Sequence, residues 1–311
     1  MRAELTHLFS INAVSLIDRP PGANVIGCTW AHRFKYDADG NYTRAKSRIC
    51  PYGFQQIPGV DYNEDGTSAP TLAIEHAMFL LALQVQRDMH AILLDADSAF
   101  ATTPNSVPVY MRLPDGLERQ PGKVLRLNHA LNGTKQGAFD WYTRAAGALV
   151  RLGFTPCVTD PCIFYRWDDK SLSLCGLYVD DFRFLSDDLT IFDTISNALK
   201  GMGFKMKAPD PNWWLGMKLD HNRTAGTLAV TQSQYTKDLL QRFGMSDCKP
   251  CDTPAAPGTK LTKTSTPPDP LDTETCNFDY RGAVGSLLWL ARTTRPDILY
   301  AVNQPLSRDS R

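Results

Sequence analysis

The chain has 311 residues, of which 33 are basic and 33 acidic, so its formal net charge is zero; 43% of it is apolar. That length and apolar content exclude wholesale disorder and provide for one large domain, or two to three subdomains, around an ample core. Neutrality would exclude a uniformly basic polyanion binder, yet the charge is unevenly spread. Residues 1–54 carry 7 basic and 4 acidic groups, 55–120 carry 3 and 9, 121–200 carry 9 and 9, 201–263 carry 9 and 5, and 264–311 carry 5 and 6. Two basic blocks flank a carboxylate-rich middle.

In chain order, a turn cluster at 19–24 precedes a predicted strand over 26–36, a hairpin turn at 37–41 and a return strand over 42–50. Arg44, Lys46 and Arg48 then share one strand face, as a solvated edge or a basic wall for phosphates. Residues 70–87 read as a helix capped by Thr71, with Ile74, Met78, Leu81 and Val85 at helical spacing. Short strands are expected at 91–94, ending at Asp95, and at 107–113 and 124–127. A helix over 136–152 is stopped by Gly153. Residues 162–167 and 172–185 are β-rich around a turn at 168–170, and a helix over 189–202 is closed by Gly203. A hairpin joins 213–219 to 227–231, a helix follows over 234–243, 250–270 reads as a Pro/Thr/Lys-rich linker, and 280–291 is a last helix. From residue 91 onward the order strand, helix, strand pair, helix, strand predicts an α+β fold of β-α-β-β-α-β type, an antiparallel sheet with helices on one face.

The longest apolar run, 77–83, is too short to span a bilayer, and the first residues carry no secretory signal, so no membrane partner and a cytoplasmic or nuclear location are expected. Eight cysteines are too sparse for a disulfide scaffold. The lone Cys248-Lys249-Pro250-Cys251 lies in a loop without a second ligand pair and reads as ordinary thiols.

Carboxylates carry the chemical signal. Asp95 ends a buried strand, where an unpaired charge is costly. Tyr178-Val179-Asp180-Asp181 interrupts an apolar stretch that resumes with Phe182-Arg183-Phe184-Leu185, which reads as a hairpin with two acids at its tip. An exposed Asp-rich turn explains that tip as well as a metal site does; the apolar flanks and Asp95 favour the metal. Three such acids repel one another unless cations neutralise them, and hard oxygen donors suit Mg²⁺. Two Mg²⁺ ions would serve phosphoryl or nucleotidyl transfer.

Tyr178 to Asp181 resembles the YxDD box of reverse transcriptases. The whole chain is similar to the Ty1/copia class of LTR-retrotransposon polyproteins. Matching segments run in order from Pro20-Pro21-Gly22 and Ile26 to Trp30, through Lys35 to Gly40 and Arg44 to Arg48, then Gln56 to Tyr62 and Ser68-Ala69-Pro70. Leu94-Asp95-Ala96, Ala99-Phe100, Lys135-Gln136 and Trp141-Tyr142 follow, then Trp214 to Met217, Arg242 to Met245, Ala283 to Leu287 and Thr294 to Asp297. The resemblance implies a right-hand polymerase with fingers, palm and small helical thumb: fingers at 1–90, palm at 91–220 with 130–140 returning to the fingers, primer-grip hairpin end and thumb helix at 221–249, a linker at 250–279 and a truncated connection segment at 280–311. It implies RNA-directed DNA synthesis from dNTPs on an RNA or DNA template with primer, using two Mg²⁺ ions or Mn²⁺. By position, Asp95, Asp180 and Asp181 would be the catalytic metal ligands. Phe100, Gln136, Lys46 and Arg48 would bind the nucleotide, with Phe100 under the sugar. Trp214, Leu215, Gly216 and Met217 would bind the primer.

The chain departs from the family pattern at Tyr52, where a Lys is usual, at Asp97, also a usual Lys, at Ala101 to Thr103, and at Gly137 to Asp140, which lacks a basic residue. Two cations on the phosphate side are thereby missing, so a degenerate copy is one reading. A non-catalytic nucleic-acid-binding remnant and, more weakly, a metal-dependent phosphoesterase are the alternatives.

Overall fold

The computed structural model describes residues 1–36, 42–168, 171–255 and 279–306. The expected turns at 37–41 and 169–170 and most of the expected linker lie outside the described residues. The chain forms two compact units, one of Met1–His76 with Met89–Pro209, the other of Ala77–Asp88 with Asp210–Arg311.

The first unit begins with helix α1 (Arg2–Ser10) and strands β1 (Val14–Asp18), β2 (Val25–Ile26), β3 (Cys28–Tyr36) and β4 (Tyr42–Pro51). Strands β3 and β4 pair antiparallel over nearly their full length, as the two arms of the basic hairpin. Strands β6 (Pro104–Met111) and β7 (Lys123–His129) join β1 and β2 in a four-stranded sheet ordered β1-β7-β6-β2. Leu5 and Leu8 of α1 close a core with Val14, Val109, Met111, Leu125 and Leu127. Neither α1 nor β1 is anticipated from the sequence. Helix α1 has only two buried residues on a polar background, a pattern too sparse to read as an amphipathic stripe.

The central sheet of this unit has six strands: β5 (His90–Ala96), β8 (Thr155–Pro156), β9 (Ile163–Asp168), β10 (Ser171–Tyr178), β11 (Asp181–Ser186) and β12 (Met206–Lys207), ordered β12-β5-β11-β10-β9-β8. Every pairing is antiparallel. With helices α3 (Gly137–Arg151) and α4 (Ile191–Gly201), the elements β5, α3, β10, β11, α4 and β12 follow in strand–helix–strand–strand–helix–strand order with β6 to β9 inserted between them, and the last strand is the short β12, not the expected 213–219 arm, which belongs to another sheet in the second unit. Alternation along the strands sends Leu94, Ala96, Phe182 and Phe184 to one face, where they pack with Trp141, Ala145 and Leu149 of α3 and Ile195 and Leu199 of α4. Asp95, Asp181 and Arg183 fall on the other face. Gly153 and Gly203 adopt φ of +84° and +82° just past the two helices, the left-handed stop that their sequence positions suggest.

The helix expected from residue 70 starts later: α2 spans Ile74–Gln86. Asp160 Oδ2 accepts the Ala73 N–H at 3.3 Å and meets His76 Nδ1 at 2.7 Å, so a buried carboxylate distant in sequence serves the helix start that Thr71 was expected to cap.

In the second unit, the expected single arm over 213–219 is divided. Strands β13 (Trp213–Trp214) and β14 (Met217–Asn222) form a hairpin of their own, and β14 also pairs with β15 (Thr227–Thr231). Leu215 and Gly216 at its two-residue turn have φ of +50° and +73°, the mirror-image turn geometry that matches strand twist and that glycine at the second position eases. His221 of β14 meets Gln84 of α2 at 3.1 Å, and Arg223 pairs with Asp88 at 2.7 Å. Helices α5 (Ser233–Arg242), α6 (Tyr280–Thr293) and α7 (Leu299–Leu306) complete this unit. Arg242 joins Asp279, whose carboxylate accepts the Gly282 N–H and caps α6. No helix among the described residues is long and apolar enough to cross a membrane.

Leu199 has no exposed surface, and its truncation to Ala leaves a cavity between α4 and the sheet. The expected loss is about 2–5 kcal/mol, read as a lowered denaturant midpoint with unchanged slope.

Candidate active site

Strand register assembles the acids. Strand β11 pairs with β5 so that Asp181 stands directly opposite Asp95, and directly opposed side chains share a sheet face about 5 Å apart at Cβ. Like charges so placed repel, unlike the Phe182–Leu94 pair beside them on the packed face. Asp180 occupies the two-residue turn between Tyr178 and Asp181. Val179, the other turn residue, has φ of +52°, a costly conformation for a β-branched side chain that requires support from its surroundings.

That support is visible. Buried Trp141 of α3 donates its Nε1–H to the Val179 carbonyl at 2.8 Å, and the Ala96 N–H of β5 donates to the Asp180 carbonyl at 2.9 Å. Trp141 is itself fixed edge-on to Phe182 and Phe204, with ring centroids 6.3 Å and 5.9 Å away. The sequence marks Trp141 only as part of a family motif; nothing in its spacing reveals this bond, which forms across the fold.

A cavity of about 180 Å³ opens beside the turn, lined by Asp95, Asp180, Phe100, Lys46 and Arg48 among others. Asp181 and Gln136 are not in its lining. Phe100 begins a short 3₁₀ segment, Phe100–Thr102, and packs partly against the sheet core. The segment is held by Arg144, whose Nη1 donates to the Thr102 carbonyl at 2.9 Å, and by His129, whose Nδ1 lies 2.8 Å from the Ala101 carbonyl. Lys46 and Arg48 reach the cavity from β4, on the strand face they share by sequence spacing.

Gln136 is 1% exposed, and its amide is occupied within the protein. Gln56 donates to its Oε1 at 2.9 Å, and its Nε2 donates to the Asp61 carbonyl at 3.3 Å. It knits the approach to α3 to the segment after β4. Trp214, Leu215, Gly216 and Met217 belong to the second unit, where they form the β13–β14 turn; Trp214 and Met217 are buried and Gly216 is exposed.

Asp97, which by sequence adds uncompensated negative charge, is paired: Lys207 Nζ of β12 lies 3.0 Å from its carboxylate. Its negative charge is thus balanced from β12, the strand that pairs with β5. Tyr52 brings no charge; its ring stacks on Phe54 at 5.2 Å.

The Asp180 and Asp181 carboxyls are raised from 3.8 to about 6, by burial first and by the neighbouring Asp95 second. Asp180 adds to the repulsion at Asp181, and Arg48 and Lys46 partly offset the rise at Asp180. Asp180 Oδ1 is buried without a hydrogen-bond partner. Among the described residues no three His, Cys, Asp or Glu side chains form a group that could hold a metal ion as they stand. The donor chemistry nevertheless fits a hard divalent cation. An orphaned carboxylate oxygen and two acids destabilised by mutual repulsion are what such an ion relieves, and Mg²⁺ commonly takes only one or two protein carboxylates, completing its shell with water and substrate phosphates.

The raised carboxyls fix the sign of a pH effect. The folded chain binds more protons than the unfolded one between pH 4 and 6, so stability falls as pH rises through that window. Partial exposure screens the effect, and a melting temperature lower by roughly 2–4 °C at pH 7 than at pH 4.5 is expected from this pair. An Asp180→Asn, Asp181→Asn variant should flatten that slope in a thermal-melt series. Added Mg²⁺ or Mn²⁺ should raise the wild-type midpoint at pH 7.5 and leave that of the variant unmoved.

A model of the family described as reverse transcriptase (RNA-dependent DNA polymerase) matches residues 11–257. The chain is 34% identical over 287 residues to the retrovirus-related Pol polyprotein from transposon RE2 of Arabidopsis thaliana, which covers 92% of this chain and 19% of that polyprotein. It is 33% identical over 315 residues to the corresponding polyprotein from transposon RE1 of the same plant, covering 98% and 20%. To that from transposon TNT 1-94 of Nicotiana tabacum it is 30% identical over 307 residues, covering 97% and 23%. The chain spans about a fifth of the length of these relatives. A family match across most of the sequence, joined to Pol relatives along nearly all of it, makes the chain a member of the copia-type retrotransposon reverse transcriptase family.

Proposed function

We propose that this chain catalyses template-directed DNA synthesis, adding dNTPs to the 3′-hydroxyl of a primer paired to RNA or DNA. The observation that carries the reading is the Asp95–Asp181 register beside Asp180. It concentrates carboxylates at one end of a sheet while Lys46 and Arg48 face Asp180 across a shared cavity. On this reading the six-stranded sheet with α3 and α4 is the palm, the β3–β4 hairpin belongs to the fingers, β13–β14 grips the primer and α5 belongs to the thumb.

Asp95, Asp180 and Asp181 would hold two divalent cations of the kind reverse transcriptases use, which when bound lower the pKa of the primer hydroxyl and neutralise triphosphate charge. The chemistry is an in-line displacement. The primer 3′-oxygen bonds to the α-phosphorus, the bond to the bridging oxygen breaks, pyrophosphate leaves and the hydroxyl proton is lost. Lys46 and Arg48 attract the triphosphate and orient it towards the acids. Phe100, fixed through Thr102 and Ala101, occupies the space that a ribose 2′-hydroxyl would need. Trp141 holds the Val179 turn, and with it both adjacent acids, at a constant position relative to β5.

Primer extension on an RNA template with Mg²⁺ and dNTPs tests the reading. Wild-type protein should extend the primer, and the Asp180→Asn, Asp181→Asn variant should lose at least about a hundredfold in rate, since it removes charge stabilisation at the reacting phosphorus. Extension that survives in the variant would remove these acids from the site. A folded wild type that binds template–primer without extending it would leave the binding remnant as the function. Phe100→Ala should admit ribonucleotides, seen as a fall in the preference for dNTP over rNTP; unchanged sugar preference would dismiss the gate. Trp141→Phe keeps an aromatic ring, though a smaller one, and removes the donor, and should lower kcat more than it raises KM for dNTP.

A further inference from the structure

Away from the acids, the first unit carries a second charged concavity. A cavity of about 660 Å³ is lined by Arg19, Arg112, Arg119 and Lys123 together with the apolar Val25, Leu113 and Val124, and no acidic residue lines it. The four cations come from separate places: Arg19 after β1, Arg112 after β6, Arg119 in the loop leading into β7, and Lys123 at the first residue of β7. Backbone bonds tie these segments together. The Arg19 N–H donates to the Gly122 carbonyl at 2.8 Å, and the Arg112 N–H donates to that of Ile26 at 2.9 Å.

The placement is not a consequence of a locally basic sequence. Residues 55–120 contain only three basic groups against nine acidic ones, and two of those three, Arg112 and Arg119, line this cavity. Asp115 and Glu118 of the same loop are exposed outside its lining. Lys123 pairs with Asp18 at 2.9 Å, but that carboxylate is 86% exposed and readily exchanged for another anion. Arg112 and Arg119 form no ion pair among the described residues and are exposed. Four like charges gathered on one concave surface repel one another, and an anion relieves that repulsion.

We propose that this cavity binds the phosphodiester backbone of the template–primer at a second point, away from the catalytic acids. Strand β6 runs from the Phe100 segment to Arg112, so at about 3.3 Å per residue at most roughly 25 Å of strand separates the two sites. A bound duplex would span that distance in about seven base-pair steps. Arginine forks bind phosphate oxygens without reading bases, so the interaction contributes affinity and register and no sequence preference. The choice of nucleic acid as the polyanion rests on the polymerase reading above.

The test is binding of an RNA–DNA hybrid of about 25 base pairs, followed by fluorescence anisotropy over a salt series. Arg112→Ala with Arg119→Ala should weaken binding about tenfold at low salt and reduce the slope of log K against log salt by about 2, near 0.9 for each phosphate that is no longer neutralised. Arg112→Lys with Arg119→Lys should retain most of the slope. Both arginines are exposed, and an unchanged thermal midpoint verifies folding of each variant. Equal affinity and slope in wild type and the alanine variant would overturn the proposal, as would tighter binding of poly-glutamate than of the hybrid. The Asp180→Asn, Asp181→Asn variant separates the two readings. If it abolishes extension while the alanine variant binds like wild type, the polymerase reading stands and this site falls. If wild type fails to extend but the alanine variant still loses affinity and slope, the site stands alone.

Discussion

Two hydrogen bonds hold the site together: Trp141 Nε1–H to the Val179 carbonyl and the Ala96 N–H to the Asp180 carbonyl. The turn they grip is intrinsically unfavourable, since it puts a β-branched residue at positive φ and two acids beside a third. A hairpin left to itself would relax both strains by rotating the turn outwards. Here the turn is clamped between a helix on one side and the neighbouring strand on the other. The apolar layer of Phe182, Phe184 and Trp141 beneath it gives the clamp its rigidity. The geometry that concentrates negative charge is therefore sustained by packing energy from the opposite sheet face.

Charge is partitioned in the same through-space manner. A neutral chain separates into acids at the end of the central sheet and cations on β4, on β12 and at the far end of β6. Lys46 and Arg48 partly counter the rise at Asp180, and Lys207 neutralises Asp97. Two of these relationships cross between strands remote in sequence, which is why counting charges along the chain overstates the deficit at residue 97. The pairing does not extend to Tyr52, whose uncharged ring stacks on Phe54.

Much of the fold was legible because its signals are local. The hairpin arms of β3 and β4, the Gly-stopped helices α3 and α4, and the β-rich stretch around Asp180 all follow from residue period and from glycine at φ-demanding positions. The Asp95, Asp180 and Asp181 candidates were likewise visible, as acids interrupting apolar strands. Less legible were elements whose stability comes from elsewhere. Helix α1 has a polar surface and depends on Leu5 and Leu8 meeting a sheet formed by later strands. The start of α2 is set by Asp160, far along the chain. The division of residues 213–219 depends on Leu215 accepting a left-handed conformation beside Gly216.

By itself, then, the sequence determined which residues could carry chemistry, the order of most of the strands and helices apart from α1, β1 and β12, and the family to which the chain belongs, because period, turn chemistry and motif order are written along the chain. Only the tertiary structure decided that Asp181 faces Asp95, that Gln136 is tied to Gln56 and Asp61 within the protein, that Lys207 answers Asp97, and that arginines from an acidic block converge on one cavity. Each of these depends on strand register and through-space charge, which arise only when segments distant in sequence are packed together.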